Sequence, residues 1–170
     1  DGATHHGAFD LAYFGCVPNL TIAAPRNEWQ LRQMLYTASK TDTPTVIRYP
    51  RGLGEGVEWR DTAFTETDMR GEELKAGSDI AIIAVGTMAN VALRAAEQTS
   101  KSVAVYDRRY IKPLDEEMLR RVADNFKRIV TVEDGVLNGG MGSAVADWML
   151  DNGYTPHIVR LGIDDSFVEH

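Results

Sequence analysis

The stretch of residues 80–106, IAIIAVGTMANVALRAAEQTSKSVAVY, gives the clearest indication of how this chain folds. Residues 80–85 are all apolar, which is typical of a strand that is covered on both faces of a sheet. A helix that opens at Gly86 is expected to run to about Gln98, and residues 102–106 read as a second strand. This strand–helix–strand order predicts a parallel unit of an α/β sheet.

The same alternation continues towards the end of the chain. Strands are predicted at 128–132 and 157–161, and helices at 114–126 and 142–152. Pro113 precedes the first of these helices, whose opening turn is acidic, as the helix dipole favours. The second half of the chain is therefore predicted to form a mainly parallel sheet with helices on both faces.

The first half is predicted to form a separate lobe. It contains a short helix at 8–14, strands at 20–24 and 45–49, and a helix at 28–39 for which Asn27 is a suitable N-cap. The following segment is rich in glycine and polar residues and has no sustained periodicity. We therefore divide the chain into a first lobe at 1–57, a linker at 58–72 and a second lobe at 73–170.

Composition excludes several classes of protein. The chain has 170 residues, 44% of them hydrophobic, and a net charge of −7, which argues against a nucleic-acid partner. No apolar run is long enough to span a membrane. The single cysteine, Cys16, excludes an internal disulfide, fits a reducing compartment and is expected to be buried in its apolar run. The chain starts without Met and has no signal peptide, so we expect a fragment of a longer cytoplasmic protein.

The most informative polar cluster is DGATHHG at residues 1–7. Its glycines permit tight turns and close approach of a ligand, and its histidines can exchange protons near neutral pH. The competing interpretation is a surface loop whose histidines only cap the next helix. A metal site built from Asp1, His5, His6 or Asp10 is a third option, but these residues lack a recognised ligand spacing.

Three further motifs each have a functional and a structural interpretation. In YPRG at residues 49–52, Arg51 can grip a phosphate, or it is simply an exposed arginine at the start of a loop. The run GGMGS at 139–143 can cradle a phosphate, but close packing of a helix on the sheet is the better account. Glu133 and Asp134 form an acid pair, a solvated strand end or a partner for a helix.

Taken in order, these motifs resemble one known family. The quoted stretches are DGATHHGAFD at 1–10, YPRG at 49–52, GTM at 86–88, KPLD at 112–115, TVED at 131–134, GGMGS at 139–143 and FVEH at 167–170. The chain is similar along essentially its whole length to the 1-deoxy-D-xylulose-5-phosphate synthases, which are thiamine-diphosphate enzymes with a transketolase-like fold. The resemblance implies part of a pyrimidine-binding domain followed by a transketolase C-terminal domain.

The resemblance also implies a reaction and three site residues. The family condenses pyruvate with D-glyceraldehyde 3-phosphate, with loss of CO2, to give 1-deoxy-D-xylulose 5-phosphate, a precursor of isoprenoids, thiamine and pyridoxal. His5 resembles the histidine that faces the reacting carbonyls and exchanges a proton. Asp1 resembles the acid that binds the acceptor hydroxyl or aldehyde, and Arg51 resembles the arginine that holds the acceptor phosphate.

The resemblance further implies a homodimer that uses thiamine diphosphate and Mg²⁺. The family segment that binds this cofactor and its metal ion is not found in the chain, so no cofactor-binding or metal-binding residues are expected in it. For the same reason the chain by itself is expected to be inactive.

Two other kinds of function remain open from the sequence: a related enzyme with another reaction, or an assembly module without activity. Transketolase shares the D-G-x-T-H loop but usually has Gln-Pro where this chain has His6 and Gly7, and it lacks YPRG. The β subunit of 2-oxoacid dehydrogenases shares the two-lobed plan but lacks the D-G-x-T-H loop. A non-catalytic assembly module is the alternative outside enzymes, and an assay with pyruvate against a ketose phosphate as donor separates the enzyme classes.

Overall fold

The larger of the two sheets found in the described residues carries most of the fold. The computed structural model of the chain describes residues 2–169. The strands of the larger sheet are β3 (Glu72–Lys75), β4 (Ile80–Ala84), β5 (Val103–Asp107), β7 (Arg128–Val136) and β8 (His157–Ile163). Their spatial order is β3-β5-β4-β7-β8, and all neighbours are parallel except the edge strand β3, which is antiparallel to β5. The predicted parallel sheet is thus confirmed, with one antiparallel edge that periodicity did not reveal.

The smaller sheet joins the two halves of the chain. Its strands are β1 (Thr21–Ala23), β2 (Thr45–Ile47) and β6 (Tyr110–Lys112), in the order β2-β1-β6. The β1–β2 pair is parallel, whereas β6 is antiparallel to β1. Because β6 comes from the second half of the sequence, the two predicted lobes share this sheet. The division into lobes at 1–57 and 73–170 stays a prediction.

In the described part of the chain, residues 2–169, five α-helices flank the sheets. They are α1 (Asp10–Gly15), α2 (Glu28–Ala38), α3 (Met88–Glu97), α4 (Glu116–Asn125) and α5 (Met141–Asp151). The side chain of Asn27 accepts a hydrogen bond from Gln30 N at 2.9 Å and caps α2, as predicted. Asp115 caps α4 in the same way through Met118 N at 3.0 Å. Within residues 2–169, no helix is both long and apolar enough to cross a membrane.

One hydrophobic core connects α1 and β1 to the second half of the chain. Ile83 of β4, Ile129 of β7 and Leu119 of α4 are almost completely buried in it. Leu11 of α1 and Ile22 of β1 belong to the same cluster. Burial of one such side chain stabilises a fold by about 1.5–3 kcal/mol, so this core holds the first helix of the chain against the larger sheet.

The predicted linker is docked along α2. Gln33 donates from Nε2 to Ala63 O at 3.0 Å and accepts from Thr65 N at 2.7 Å. Thr37 Oγ1 accepts from Thr67 N at 2.8 Å. The buried amide and hydroxyl of α2 therefore find their hydrogen-bond partners in the segment that follows the first lobe.

Cys16 differs from its expected burial. It is exposed at the C-terminal end of α1, where its Sγ donates to Tyr13 O at 3.0 Å. Leu11 is the buried residue of this short helix, and a residue five positions later points away from the same helix face. An apolar run that ends in a helix cap therefore does not carry its cysteine into the core.

Candidate functional site

The loop that carries His5 is folded as a short turn. Residues Gly2–Thr4 form a 3-10 turn, and the backbone N–H groups of His5 and His6 both donate to Gly2 O at 3.1 Å. The His5 side chain is exposed, and its Nδ1 lies 2.9 Å from Thr4 Oγ1. The other predicted residue of this loop, Asp1, lies outside the described residues.

The neighbouring His6 has a structural environment. Its ring lies 5.2 Å from the ring of Phe9 and 6.1 Å from that of Phe167, measured between centroids. The N–H groups of Ala8 and Val168 point at its two ring nitrogens at 3.4 and 3.3 Å, of which a neutral imidazole accepts at one. His6 therefore packs the loop against residues near the end of the chain, whereas the His5 side chain is exposed.

An arginine that the sequence analysis did not single out lies between this loop and the larger sheet. Arg48 follows β2, and its guanidinium contacts Asp10 and Asp134. Nε donates to Asp10 Oδ2 at 3.0 Å, Nη1 donates to Asp134 Oδ1, and Nη2 donates to Asp134 O at 2.9 Å. Burial lowers the pKa of Arg48, but the charges of Asp134 and Asp10 outweigh burial, so that its pKa is raised above the ordinary value.

Arg51 lies in an exposed loop just beyond Arg48. The continuation of this loop crosses the start of α2, where Glu28 Oε1 accepts from Gly56 N at 2.8 Å. A Cβ at Gly54 would overlap the Glu28 carboxylate, so the loop approaches this side chain as closely as glycine allows. A cavity of about 150 Å³ opens beside the loop; its lining includes Pro25, Arg26, Tyr49, Pro50, Gly52 and Thr87.

The glycine-rich run at 139–143 leads into α5, and a carboxylate of the same chain occupies the N–H groups at the start of this helix. The Glu133 carboxylate accepts from Met141 N and Gly142 N, each at 2.8 Å. Burial raises the pKa of Glu133, and these two hydrogen bonds offset part of that rise. A Cβ at Gly142 would overlap Thr131 Oγ1. The interpretation of Glu133 as a helix partner, and of the run as close packing, agrees with these contacts.

The start of α5 does not fit a diphosphate, and residues 2–169 contain no cluster of side chains suited to a metal ion. The amides at the start of α5, which could bind a diphosphate, already bind Glu133. Across residues 2–169, no three His, Cys, Asp or Glu side chains are grouped so that they could hold a metal ion. Of the residues considered for a metal site, Asp10 is paired with Arg48 and also accepts from Leu11 N at 2.9 Å.

The structure describes two of the three predicted site residues, His5 and Arg51. His5 and Arg51 are both exposed, and the convergence of their side chains on one substrate stays a prediction. Arg48 brings the segments that carry them together, because it contacts Asp10 after the His5 loop and precedes Arg51 in the chain. The sequence analysis placed Arg48 inside the predicted strand at 45–49, whereas the observed strand ends at Ile47. Arg48 therefore follows the carboxyl end of a strand, where α/β sheets place their sites.

Two family models match the chain. The model of the transketolase pyrimidine-binding domain matches residues 1–56, and the model of the transketolase C-terminal domain matches residues 70–170. Among curated relatives, the 1-deoxy-D-xylulose-5-phosphate synthases of Phocaeicola vulgatus and Parabacteroides distasonis are 53% and 49% identical to the chain. Each alignment covers 100% of this chain, whereas the chain spans only 28% of the length of either relative.

Solved structures share the fold. A split-gene transketolase, described as an inactive β4 tetramer, is 32% identical, with a TM-score of 0.85 over 96% of this chain and 54% of that chain. The transketolase of Campylobacter jejuni is 19% identical, with a TM-score of 0.70 over 99% of this chain and 25% of that chain. The second likeness shows the fold alone. Together with the observed sheets and helices, these comparisons confirm the predicted transketolase-like α/β architecture.

Proposed function

We propose that this chain, which belongs to the transketolase family, is the C-terminal part of a 1-deoxy-D-xylulose-5-phosphate synthase. The curated relatives named above carry the name of that enzyme. The parent enzyme condenses pyruvate with D-glyceraldehyde 3-phosphate and releases CO2. The chain contributes part of the acceptor site and a scaffold for assembly. The observation that carries this proposal is the match of the whole chain to synthases of that name. The contact of Arg48 with Asp10, at 3.0 Å, supports a shared acceptor site, because it ties the segment after the His5 loop to the strand end that precedes Arg51.

Two side chains have defined tasks in this proposal. Arg51 holds the acceptor phosphate, for which a fixed guanidinium supplies charge-assisted hydrogen bonds worth about 1.5–3 kcal/mol each. His5 faces the acceptor aldehyde, whose oxygen becomes an alkoxide when the new carbon–carbon bond forms. An imidazolium at this position donates a proton to that oxygen, and general acid catalysis of this kind contributes about 10²–10⁴-fold. Asp1 accepts a hydrogen bond from the acceptor hydroxyl.

The remaining parts of the enzyme lie outside this chain. Thiamine diphosphate and Mg²⁺ are held by other segments of the parent, which is cytoplasmic and homodimeric. Support for an assembly comes from large apolar side chains that the chain exposes, including Leu35, Leu53, Phe64 and Phe167. We expect the isolated 170-residue chain to form no product from pyruvate and D-glyceraldehyde 3-phosphate, even with added cofactor and Mg²⁺, and an assay of product formation tests this.

The decisive experiment compares two acceptors in the full-length enzyme that contains this chain. Arg51→Ala should raise KM for D-glyceraldehyde 3-phosphate at least about tenfold, as expected for one lost charge-assisted contact, and should change KM for D-glyceraldehyde little. Arg94→Ala, which removes an exposed arginine from α3, is the control and should change neither value. An equal loss with both acceptors would remove the phosphate assignment.

His5→Ala completes the experiment in the same assay. The variant should lower kcat strongly while the affinity for thiamine diphosphate stays near that of the wild type, because in this proposal His5 acts on the acceptor aldehyde and does not hold the cofactor. A collapse of cofactor affinity would show that His5 has a different role.

A further inference from the structure

Arg48 connects three segments that are distant in the sequence. Its own N–H donates to Ala23 O at 2.8 Å, which fixes its backbone to the end of β1. Its guanidinium reaches 38 residues back to Asp10 and 86 residues forward to Asp134. The Arg48 and Asp10 side chains are each 15% exposed and that of Asp134 is 29% exposed, so this ion triad is largely screened from solvent.

The two partners of Arg48 lie in different segments of the chain. Asp10 is the first residue of α1 and follows the loop of residues 2–9. Asp134 lies where the pairing of β7 with β8 shifts register, between Val132 and Val136. The Val136 N–H donates to Ala8 O at 2.8 Å, so the same part of β7 holds the end of the His5 loop. Arg48 therefore sets the position of this loop relative to its own strand.

The charges of the triad make the guanidinium indispensable to this arrangement. Two carboxylates face one cation, and the pKa of Arg48 is raised, since their charges outweigh its burial. Without the guanidinium, Asp10 and Asp134 would be left as two partly buried like charges that repel each other. The predicted consequence is a shift of the start of α1 away from β7, together with the loop that precedes it.

We propose that Arg48 is a positioning residue that sets the spacing between His5 and Arg51, and so makes the site select phosphorylated acceptors. This inference rests on the proposed function. An acceptor held at its phosphate presents its aldehyde at a distance fixed by its own bonds. The site must therefore keep the distance between the His5 and Arg51 side chains constant. A misplacement of about 1 Å can lower a rate by about 10²-fold. An acceptor without phosphate is held at one end only and tolerates a change of spacing.

The test uses Arg48→Met and Arg48→Lys in the full-length enzyme, with both acceptors. Arg48→Met should lower kcat for D-glyceraldehyde 3-phosphate roughly 10- to 100-fold, with a smaller change in KM. Activity with D-glyceraldehyde should fall much less. Arg48→Lys keeps the charge but has no planar fork to reach both carboxylates, so it should give an intermediate loss of the same selectivity.

A variant on the partner side keeps the test decisive if both Arg48 variants fail to fold. Asp134→Asn preserves the shape of the side chain and leaves Arg48 paired with Asp10, and it should also lower the preference for the phosphorylated acceptor. Arg70→Met, which breaks an exposed pair with Glu117, is the matched control and should leave that preference unchanged. Equal losses with both acceptors in the Arg48 and Asp134 variants would assign the triad a role in stability only and overturn the inference.

A double variant separates this inference from the proposed function. If Arg48 acts through Arg51, Arg48→Met should lower the preference for the phosphorylated acceptor by a smaller factor in an Arg51→Ala background than in the wild type. Additive losses would overturn the inference while leaving the acceptor site in place. If Arg51→Ala alone leaves the preference for the phosphorylated acceptor intact, the phosphate role of Arg51 in the proposed function fails instead.

Discussion

The carboxylate of Glu133 occupies the position at the start of α5 that a bound anion would otherwise take. It is buried, and it satisfies the N–H groups of Met141 and Gly142, which have no partner within the helix. A glycine-rich run before a helix is thus not by itself a phosphate site. A side chain a few positions before such a run, here that of Glu133, can occupy the N–H groups that would otherwise bind an anion.

Removal of this side chain should destabilise the fold. Glu133→Ala leaves two buried N–H groups unpaired, and we expect a loss of about 1–3 kcal/mol in the free energy of unfolding, measured by urea denaturation. Glu133→Gln retains one acceptor oxygen and should lose less. Glu97→Ala at the exposed end of α3 should change little. If Glu133→Ala is as stable as the wild type, the capping role is wrong.

The loop of residues 51–57 depends on α2 for its conformation. Glu28 in the first turn of the helix accepts from Gly56 N, and backbone hydrogen bonds of this kind lower the pKa of the Glu28 carboxyl. The close approach at Gly54 shows that the loop wraps over this carboxylate. A single helix residue therefore holds the loop that begins with Arg51.

Limited proteolysis tests this dependence. Glu28→Ala should free the loop, and trypsin should then cleave after Arg51 several times faster than in the wild type, because cleavage requires local opening. Glu55→Ala changes an exposed carboxylate of the same loop and serves as the control. Equal cleavage rates in wild type and Glu28→Ala would mean that other contacts hold the loop.

Across the whole molecule, one buried carboxyl joins both halves of the chain. Asp107 at the end of β5 is fully buried and accepts from Gln30 Nε2 at 3.0 Å, and Arg26 Nε lies 3.4 Å from it. Burial raises the pKa of Asp107 to about 6, although the hydrogen bonds from Gln30 and the Arg109 N–H and the charge of Arg26 lower it in part. In the unfolded chain an aspartate has a pKa of about 3.9.

This difference predicts a pH-dependent stability. The folded chain binds the Asp107 proton more tightly than the unfolded chain does. The contribution of this proton to the free energy of unfolding is therefore complete below about pH 4 and is lost as pH rises through about 6. From pH 4 to 7, the free energy of unfolding of Asp107→Asn should therefore gain about 2 kcal/mol relative to that of the wild type. Urea denaturation at intervals of pH measures this, with Asp151→Asn, at the exposed end of α5, as control. A pH-independent difference would contradict the prediction.

The sequence alone predicted those features whose causes lie within a few residues. The apolar run at 80–85 predicted the buried strand β4, and Asn27 predicted the start of α2, because burial periodicity and capping act over one or two turns. The motif at 1–7 was recognised for the same reason, since its glycines and histidines are contiguous. The strands β3 and β6 were missed because short segments acquire their structure from pairing with distant strands.

The contacts that organise the candidate site came from the fold. Arg48 meets partners 38 and 86 residues away, and His6 meets the N–H of Val168 across 162 residues. No local pattern encodes such pairs, because their energy appears only after the chain has brought the segments together and removed them from water. For that reason the sequence could nominate His5 and Arg51 as functional residues, whereas the guanidinium between their segments emerged only once the two sheets were assembled.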